Sequence, residues 1–309
     1  MKRYFTVDGG TTNTRISLVS GGTACDVKRL SVGARNGAEA LKEALRAGIS
    51  ELLASNELGE GDICAIIASG MITSEYGLCN LPHVSLPAGR QELHAAMHRA
   101  ELPEITAIPW YFIRGVRSVT EGIDGTDVMR GEETELMGIL DRSKSSALYV
   151  LPGSHSKHIS VDGEGRISAF RTMLSGELFA AVLENTILRD AADFAHNELI
   201  LEKLFFGYEY CLAHGVNESL FKTRILKNVF GATKEECYSY LLGVVLCDEV
   251  RAIARASEET VIIGGQKQFR LALTAILQKY TSKQIIPLPD ASVAASTALG
   301  AVRIFEEGK

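Results

Sequence analysis

The chain has 309 residues, of which 46% are hydrophobic and 23% charged, with a formal net charge of −6. This is long enough for two lobes with separate cores and too apolar for intrinsic disorder. The acidic balance, with no Lys/Arg block, argues against a general affinity for nucleic acid or anionic membrane, and no apolar run approaches membrane-spanning length.

The N-terminal "MKRYFTVDGG" has too few apolar residues before Asp8 for a signal-peptide core. Cys25, Cys64, Cys79, Cys211, Cys237 and Cys247 never form CxxC and fall mostly in apolar stretches. They are expected to be buried reduced thiols of a cytoplasmic protein, with no metal cluster.

In chain order, strands are predicted at 4–7, 14–20 and 23–29, the last two joined by a hairpin turn at Gly21-Gly22. A helix follows with Leu41, Leu45, Ile49 and Leu52 at spacings of four, four and three. "CAIIAS" (64–69) reads as a buried strand, the region of His94 as a helix, and 105–113 as another extended run. The second half repeats the order. Strands are predicted at 147–151, 157–162 and 166–172, with "DGEG" as the hairpin turn between the last two. Helical sequence begins at Glu177, with Ser175 as its cap. Thr233 and Glu236 have capping-box spacing ahead of a long helix through Val250. "TVIIGG" is a buried strand, a helix runs through Leu277, and "QIIPL" closes the sheet. Asp290 is placed to cap a last helix over 290–306.

A βββαβαβα plan occurring twice predicts an α/β protein of two duplicated lobes, each a mixed sheet covered on both faces. The boundary is expected near 130, giving lobes 1–130 and 131–309, with the last helix packing back at the lobe crossing. An interdomain cleft is the expected ligand site.

Each half carries one polar turn between apolar strands. In "VDGGTTNTR", Gly9, Gly10, Thr11, Thr12 and Asn13 form a bend whose backbone N–H groups and hydroxyls suit phosphate oxygens. In "LPGSHSKH", Gly153 and Ser154 do the same, with His155 and Lys157 as added donors or positive charge. Asp8, at the first strand's end, is placed to hold a phosphate-bound Mg²⁺ directly or through water. One metal needs one such anchor, which explains Pro152 at the matching place in the second half.

"VDGGTTNTR", "VMRGEETELMG", "LPGSHSKH", "FRTMLSGEL" and "IIGG", in this order and over nearly the whole chain, resemble the 2-dehydro-3-deoxygalactonokinases. These are sugar-acid kinases of the actin-like, hexokinase-like ATPase superfamily, whose lobes have the ribonuclease H-like fold. The resemblance implies ATP as co-substrate with Mg²⁺. It also implies transfer of the γ-phosphate to the C6 hydroxyl of 2-dehydro-3-deoxy-D-galactonate, in galactonate breakdown.

Phosphoryl transfer needs positioning, charge neutralisation and an acceptor for the hydroxyl proton. In related sugar kinases a Gly-Asp pair carries the base. Gly131-Glu132 matches it here with Glu for Asp, and Glu133 is the alternative. The substrate carboxylate calls for Arg. Arg130 and Arg171, with Thr172 beside the latter, lead, and Arg15 is a third candidate. Gly70 and Met71 follow a buried strand and are placed to shape the sugar pocket. Gly264, Gly265 and Gln266 match the superfamily's adenosine motif. His158 fits the strand pattern and reads as structural. The competing classes are a kinase for another sugar, a sugar-responsive binding protein, and a chaperone-like or filament-forming ATPase. A strand starting at Tyr4 leaves no room for a DNA-reading helix-turn-helix, and 309 residues leave little for inserted subdomains. A homodimer is left open.

Overall fold

The computed structural model describes residues 1–140 and 146–308. The chain forms two compact units, Met1–Ser145 with Asp162–Ala169 and Asp290–Lys309, and Ser146–Val161 with Phe170–Pro289. Among the described residues no helix is long and apolar enough to cross a membrane.

The first unit begins with a meander of β1 (Arg3–Gly9), β2 (Thr14–Ser20) and β3 (Thr23–Leu30). Gly21 and Gly22 turn the second hairpin at φ +58° and +78°, a backbone that a side chain disfavours. Helix α1 (Ala38–Ser55) buries Leu41, Leu45, Ile49 and Leu52, as its spacing predicts. Next comes β4 (Ala65–Gly70), buried throughout and parallel to β1. After β5 (Val84–Ser85), α2 (Arg90–Ala95), β6 (His98–Ala100), β7 (Trp110–Phe112), β8 (Val116–Ser118) and β9 (Asp127–Met129), α3 (Glu132–Ile139) ends the run. The main sheet has the order β3-β2-β1-β4-β7-β6, and β5-β8-β9 form a small second sheet.

Alternation along β1 divides the two faces. Phe5 and Val7 join the core with α1, while Tyr4 on the other face packs edge-on against Phe305. Asp8 shares the face of Tyr4 and Thr6.

The second unit repeats the path. Its β10 (Ala147–Leu151), β11 (Ser156–Val161) and β12 (Ile167–Met173) form the meander. Helices α4 (Ser175–Asn185), α5 (Leu201–His214), α6 (Val216–Phe230), α7 (Lys234–Val245) and α8 (Cys247–Ala254) follow. Then come β13 (Thr260–Ile263), α9 (Lys267–Tyr280) and β14 (Gln284–Pro287). The order β12-β11-β10-β13-β14 matches β3-β2-β1-β4-β7 strand for strand. The last helix, α10 (Asp290–Phe305), belongs to the first unit.

Some expectations need correcting. The units do not break at 130/131: α3, expected to open the second lobe, packs on α10 within the first. A Cβ on Gly138 would lie 1.8 Å from the Ser296 carbonyl, and one on Gly300 1.8 Å from that of Thr134, so the helices cross backbone to backbone. The extended run 105–113 is strand only at Trp110–Phe112, and its edge partner β6 is too short to show a period. The long helix after Thr233 keeps its capping box but breaks at Leu246, where no Gly or Pro marks the sequence. Ser175 is the first helical residue of α4, with Leu174 at the cap position. Cys211, Cys237 and Cys247 are buried, but Cys25 and Cys64 are exposed and Cys79 is half-buried; all six are free thiols.

Candidate active site

The first turn is held from behind. Gly10 donates its N–H to Asn13 O at 2.8 Å, closing the bend, and a Cβ on Gly10 would press within 2.8 Å of that oxygen. The carbonyls of Gly10 and Thr11 accept from the N–H groups of Ala34 and Arg35 at 3.0 and 2.9 Å. With its carbonyls tied back, the bend exposes Thr11, Thr12 and Asn13 on the other side. This is the polarity an anion requires.

Asp8 stands one residue before this bend, its side chain about a third exposed at 31%. Arg15, its cross-strand partner, places Nη2 3.7 Å from Asp8 Oδ2. Burial raises the Asp8 pKa above its usual value, Arg15 opposes this, and the charge of Glu132 adds to the rise. Glu132 reaches Asp8's surroundings through a stack of glycines. Gly9 and Gly70 are level in the β1–β4 ladder, and a Cβ on Gly70 would lie 2.5 Å from Gly9 O. Gly131, at φ +109°, would place a Cβ 3.3 Å from Gly70 Cα.

The two acids at the start of α3 differ in surroundings. Glu133 is fully buried at 0% exposure and accepts from Gly131 N–H at 2.8 and 3.0 Å and from the Thr134 hydroxyl at 3.0 Å. Burial, aided by the charge of Glu132, pushes its pKa up to about 8. Glu132 is half-buried and accepts from Arg130 N–H at 3.1 Å. A group meant to meet a ligand must be reachable, and Glu132 is.

Arg130 does not have the expected free fork. Its Nη1 donates to Thr73 O and Oγ1 at 2.7 and 2.6 Å, and its Nη2 to Leu81 O at 3.1 Å, with His83 Nε2 at 3.3 Å. The guanidinium anchors the 71–83 loop. Gly70 and Met71 open that loop, Gly70 at φ +84° and buried, Met71 half-buried.

In the second unit, Gly153 and Ser154 form the corresponding bend, with Ser154 and His155 exposed. Lys157 lies within β11, as the strand expected over 157–162 has it, but at 4% exposure and paired in register with Leu151, so it adds no exposed charge at the turn. His155 Nε2 meets Glu177 Oε2 at 2.8 Å. His158 is structural as expected, buried against Glu249 at 3.1 Å, which also accepts from the Ser156 hydroxyl at 2.8 Å. The start of α4 abuts the bend: Glu177 N–H donates to Ser154 O at 3.0 Å, and a Cβ on Gly176 would lie 2.0 Å from Gly153 O. The helix thus points its positive end toward the turn.

The "GG" after β13 lies against the same bend. Gly264 N–H donates to Val150 O at 2.8 Å and Gln266 N–H to Pro152 O at 2.7 Å. Gly265, at φ +62°, would place a Cβ 2.2 Å from Pro152 O. Buried Arg270 donates to Gly265 O at 2.7 Å and fixes the loop, leaving Gln266 exposed. Arg171 and Thr172 lie on β12, Arg171 exposed and Thr172 half-buried.

The sequence matches the 2-keto-3-deoxy-galactonokinase family over residues 8–299. The chain belongs to that family. It is 26% identical over 254 residues to the 2-dehydro-3-deoxygalactonokinase of Escherichia coli (strain K12), covering 81% of this chain and 80% of that one. A crystal structure from Sinorhizobium meliloti, of a protein provisionally named a 2-dehydro-3-deoxygalactonokinase, superposes with a TM-score of 0.76 at 22% identity. It covers 98% of this chain and 99% of that one. The activator of the 2-hydroxyisocaproyl-CoA dehydratase from Clostridium difficile, with bound ADPNP, gives a TM-score of 0.54 at 13% identity, over 99% and 95% of the two chains. The fold of this family member is thus the two-lobed actin-like ATPase fold.

Several residues around the candidate site carry no signal in the sequence. Ser69, level with Asp8 on β4, has a buried hydroxyl without a hydrogen-bond partner among the described residues. The Gly33–Asn36 turn that holds the first bend looks like ordinary loop. Gly176 is visible only as part of "SGEL", where a helix start explains it equally well.

Proposed function

We propose that this protein transfers the γ-phosphoryl group of ATP to the C6 hydroxyl of 2-dehydro-3-deoxy-D-galactonate, a step of cytoplasmic galactonate breakdown. The observation that carries this reading is the placement of Glu132 beside Asp8 through Gly9, Gly70 and Gly131, in a chain whose family match spans 8–299.

Asp8 fits a magnesium anchor. Among the described residues no cluster of three or more His, Cys, Asp or Glu could cage an ion. Mg²⁺ in phosphoryl transfer needs no cage, because one or two carboxylates, water and the nucleotide's phosphates complete its shell. Bound there, Mg²⁺ would supply neutralisation of phosphate charge. The carbonyl-backed bend at Thr11 and Thr12 binds phosphate through N–H and hydroxyl groups. In the second unit, Gly153, Ser154 and the α4 N-terminus bind phosphate, and Gly264, Gly265 and Gln266 lie along the nucleoside. Glu132 accepts the proton of the attacking hydroxyl, while Glu133 holds the helix start. Gly70 and Met71 line the acceptor pocket.

The test is ATP consumption against a panel of 2-keto-3-deoxy sugar acids, beginning with the galactonate and gluconate epimers. The expected result is stimulation by the galactonate epimer with a 6-phosphate product. Stimulation by another acid alone would reassign the substrate, and stimulation by none would refute the kinase reading.

A further inference from the structure

A six-carbon sugar acid offers two handles: a hydroxyl that reacts and a carboxylate that must be held so the hydroxyl arrives correctly. None of the arginines expected for the second task is well suited to it. Arg130 is committed to loop carbonyls, Arg15 faces Asp8, and Arg171 is exposed, where water competes for its donors.

Arg114 differs from all three. It follows β7 by two residues and is half-buried, and its Nε is shut off from solvent with no hydrogen-bond partner. Among the described residues it makes no ion pair or hydrogen bond. Its charge is felt by Cys79 in the 71–83 loop. A buried donor without an acceptor is destabilising, the more so on a charged group. An anionic ligand would relieve it.

The position favours a ligand. Ile113 N–H donates to Ala68 O at 2.8 Å, carrying the β4–β7 ladder past its last pair, Ala68 with Phe112. Arg114 therefore comes level with Gly70, itself level with Gly9. The carboxyl ends of β1, β4 and β7 form one row, the edge where parallel sheets bind ligands. Asp8 stands at the β1 end and Gly131, just before Glu132, over the β4 end. Arg114, which alternation puts with Gly9 on the face opposite Asp8, stands two strand spacings away, roughly 10 Å along the sheet, so a ligand that meets both must lie across the strand ends. The backbone beyond it has little freedom, since a Cβ on Gly115 would lie 2.4 Å from Met129 O and 2.7 Å from His83 Cδ2.

We infer that Arg114 binds the C1 carboxylate of the sugar acid, fixing one end of the substrate while the C6 hydroxyl at the other end faces Glu132. This rests on the sugar-acid kinase reading above and adds the residue that recognises the acid. Arg130, through Thr73 and Leu81, is a positioning residue that holds the loop beside it.

The experiment compares wild type, Arg114→Met and Arg114→Lys with the sugar acid and with its uncharged C1 amide. Arg114→Met is expected to raise the KM for the acid about 30- to 3,000-fold, the scale of breaking a desolvated charge pair, with the KM for ATP unchanged. The amide, already poor with wild type, should lose little further. Arg114→Lys should recover part of the loss. Thermal protection by the sugar acid should vanish in Arg114→Met while protection by a non-hydrolysable ATP analogue persists, a readout that also verifies folding. An Arg114→Met enzyme with wild-type KM and protection overturns the assignment and leaves the kinase reading standing. Equal loss with acid and amide also overturns it, by making Arg114 structural. Wild type accepting the amide as readily as the acid overturns it without any variant. Wild type using no sugar acid overturns both readings.

Discussion

Gly131 rests on Gly70: a Cβ at Gly131 would come within 3.3 Å of Gly70 Cα, and the Gly131 backbone holds φ +109°. Both facts exclude a side chain without strain, of order 1–3 kcal/mol for the backbone alone. Gly131→Ala should therefore lower the thermal midpoint and turnover together, because the same shift moves Glu132 away from Asp8. Turnover unchanged beside a lowered midpoint would separate the contact from the site.

Asp8 and Glu132 are two carboxylates close enough for the charge of Glu132 to raise Asp8's pKa. Removing a destabilised charge should cost function without costing stability. Glu132→Gln is expected to cut turnover about 10²–10⁴-fold with ATP binding retained, the usual loss for a positioned base. Asp8→Asn should unfold at an equal or higher temperature than wild type while losing magnesium-dependent turnover. Calorimetry with an ATP analogue and steady-state kinetics would check both.

The two polar bends are legible in the sequence because Gly and hydroxyl residues interrupt strands of clear period, and their order reveals the duplicated sheet. The choice between Glu132 and Glu133 is not legible. Adjacent acids at one helix start look alike until burial closes one and leaves the other reachable. Arg130 and Arg114 are equally opaque. The carbonyls that occupy Arg130 belong to Thr73 and Leu81, 57 and 49 residues away, and no local pattern reports them. Lys157 misleads for a related reason: β11 is buried on both faces around it, so its charge suggests a surface it does not have.

Glu133 predicts a pH dependence of stability. Its folded pKa of about 8 stands above the ordinary glutamate value of 4.5, so between these values the native protein keeps a proton that the unfolded chain has released. Stability must then fall as pH rises through this window, by at most about 1.4 kcal/mol per pH unit from this one group. Below about pH 4.5 both states hold the proton and the effect vanishes. Glu133→Gln, which keeps an acceptor for Gly131 N–H, should flatten the slope between pH 5 and 8. Denaturant midpoints at several pH values would show it. Parallel slopes in variant and wild type would mean that the carboxyl ionises freely in the fold.

Gly176 tests the second bend independently of the first unit. A Cβ there would meet Gly153 O at 2.0 Å, so even alanine must push the start of α4 off the bend or distort it. The Glu177 N–H to Ser154 O bond would go with it, and with both the alignment of the helix's positive end on the phosphate site. Gly176→Ala should therefore weaken ATP-analogue binding by about tenfold or more, since one charge-assisted contact is of that size. The KM for the sugar acid should change little, because none of its proposed contacts lies on α4. Titration calorimetry with the analogue, beside KM values for both substrates, separates the outcomes. Unaltered analogue binding would mean that the helix start supports the bend without serving the nucleotide, while a matching rise in both KM values would point to general loss of structure.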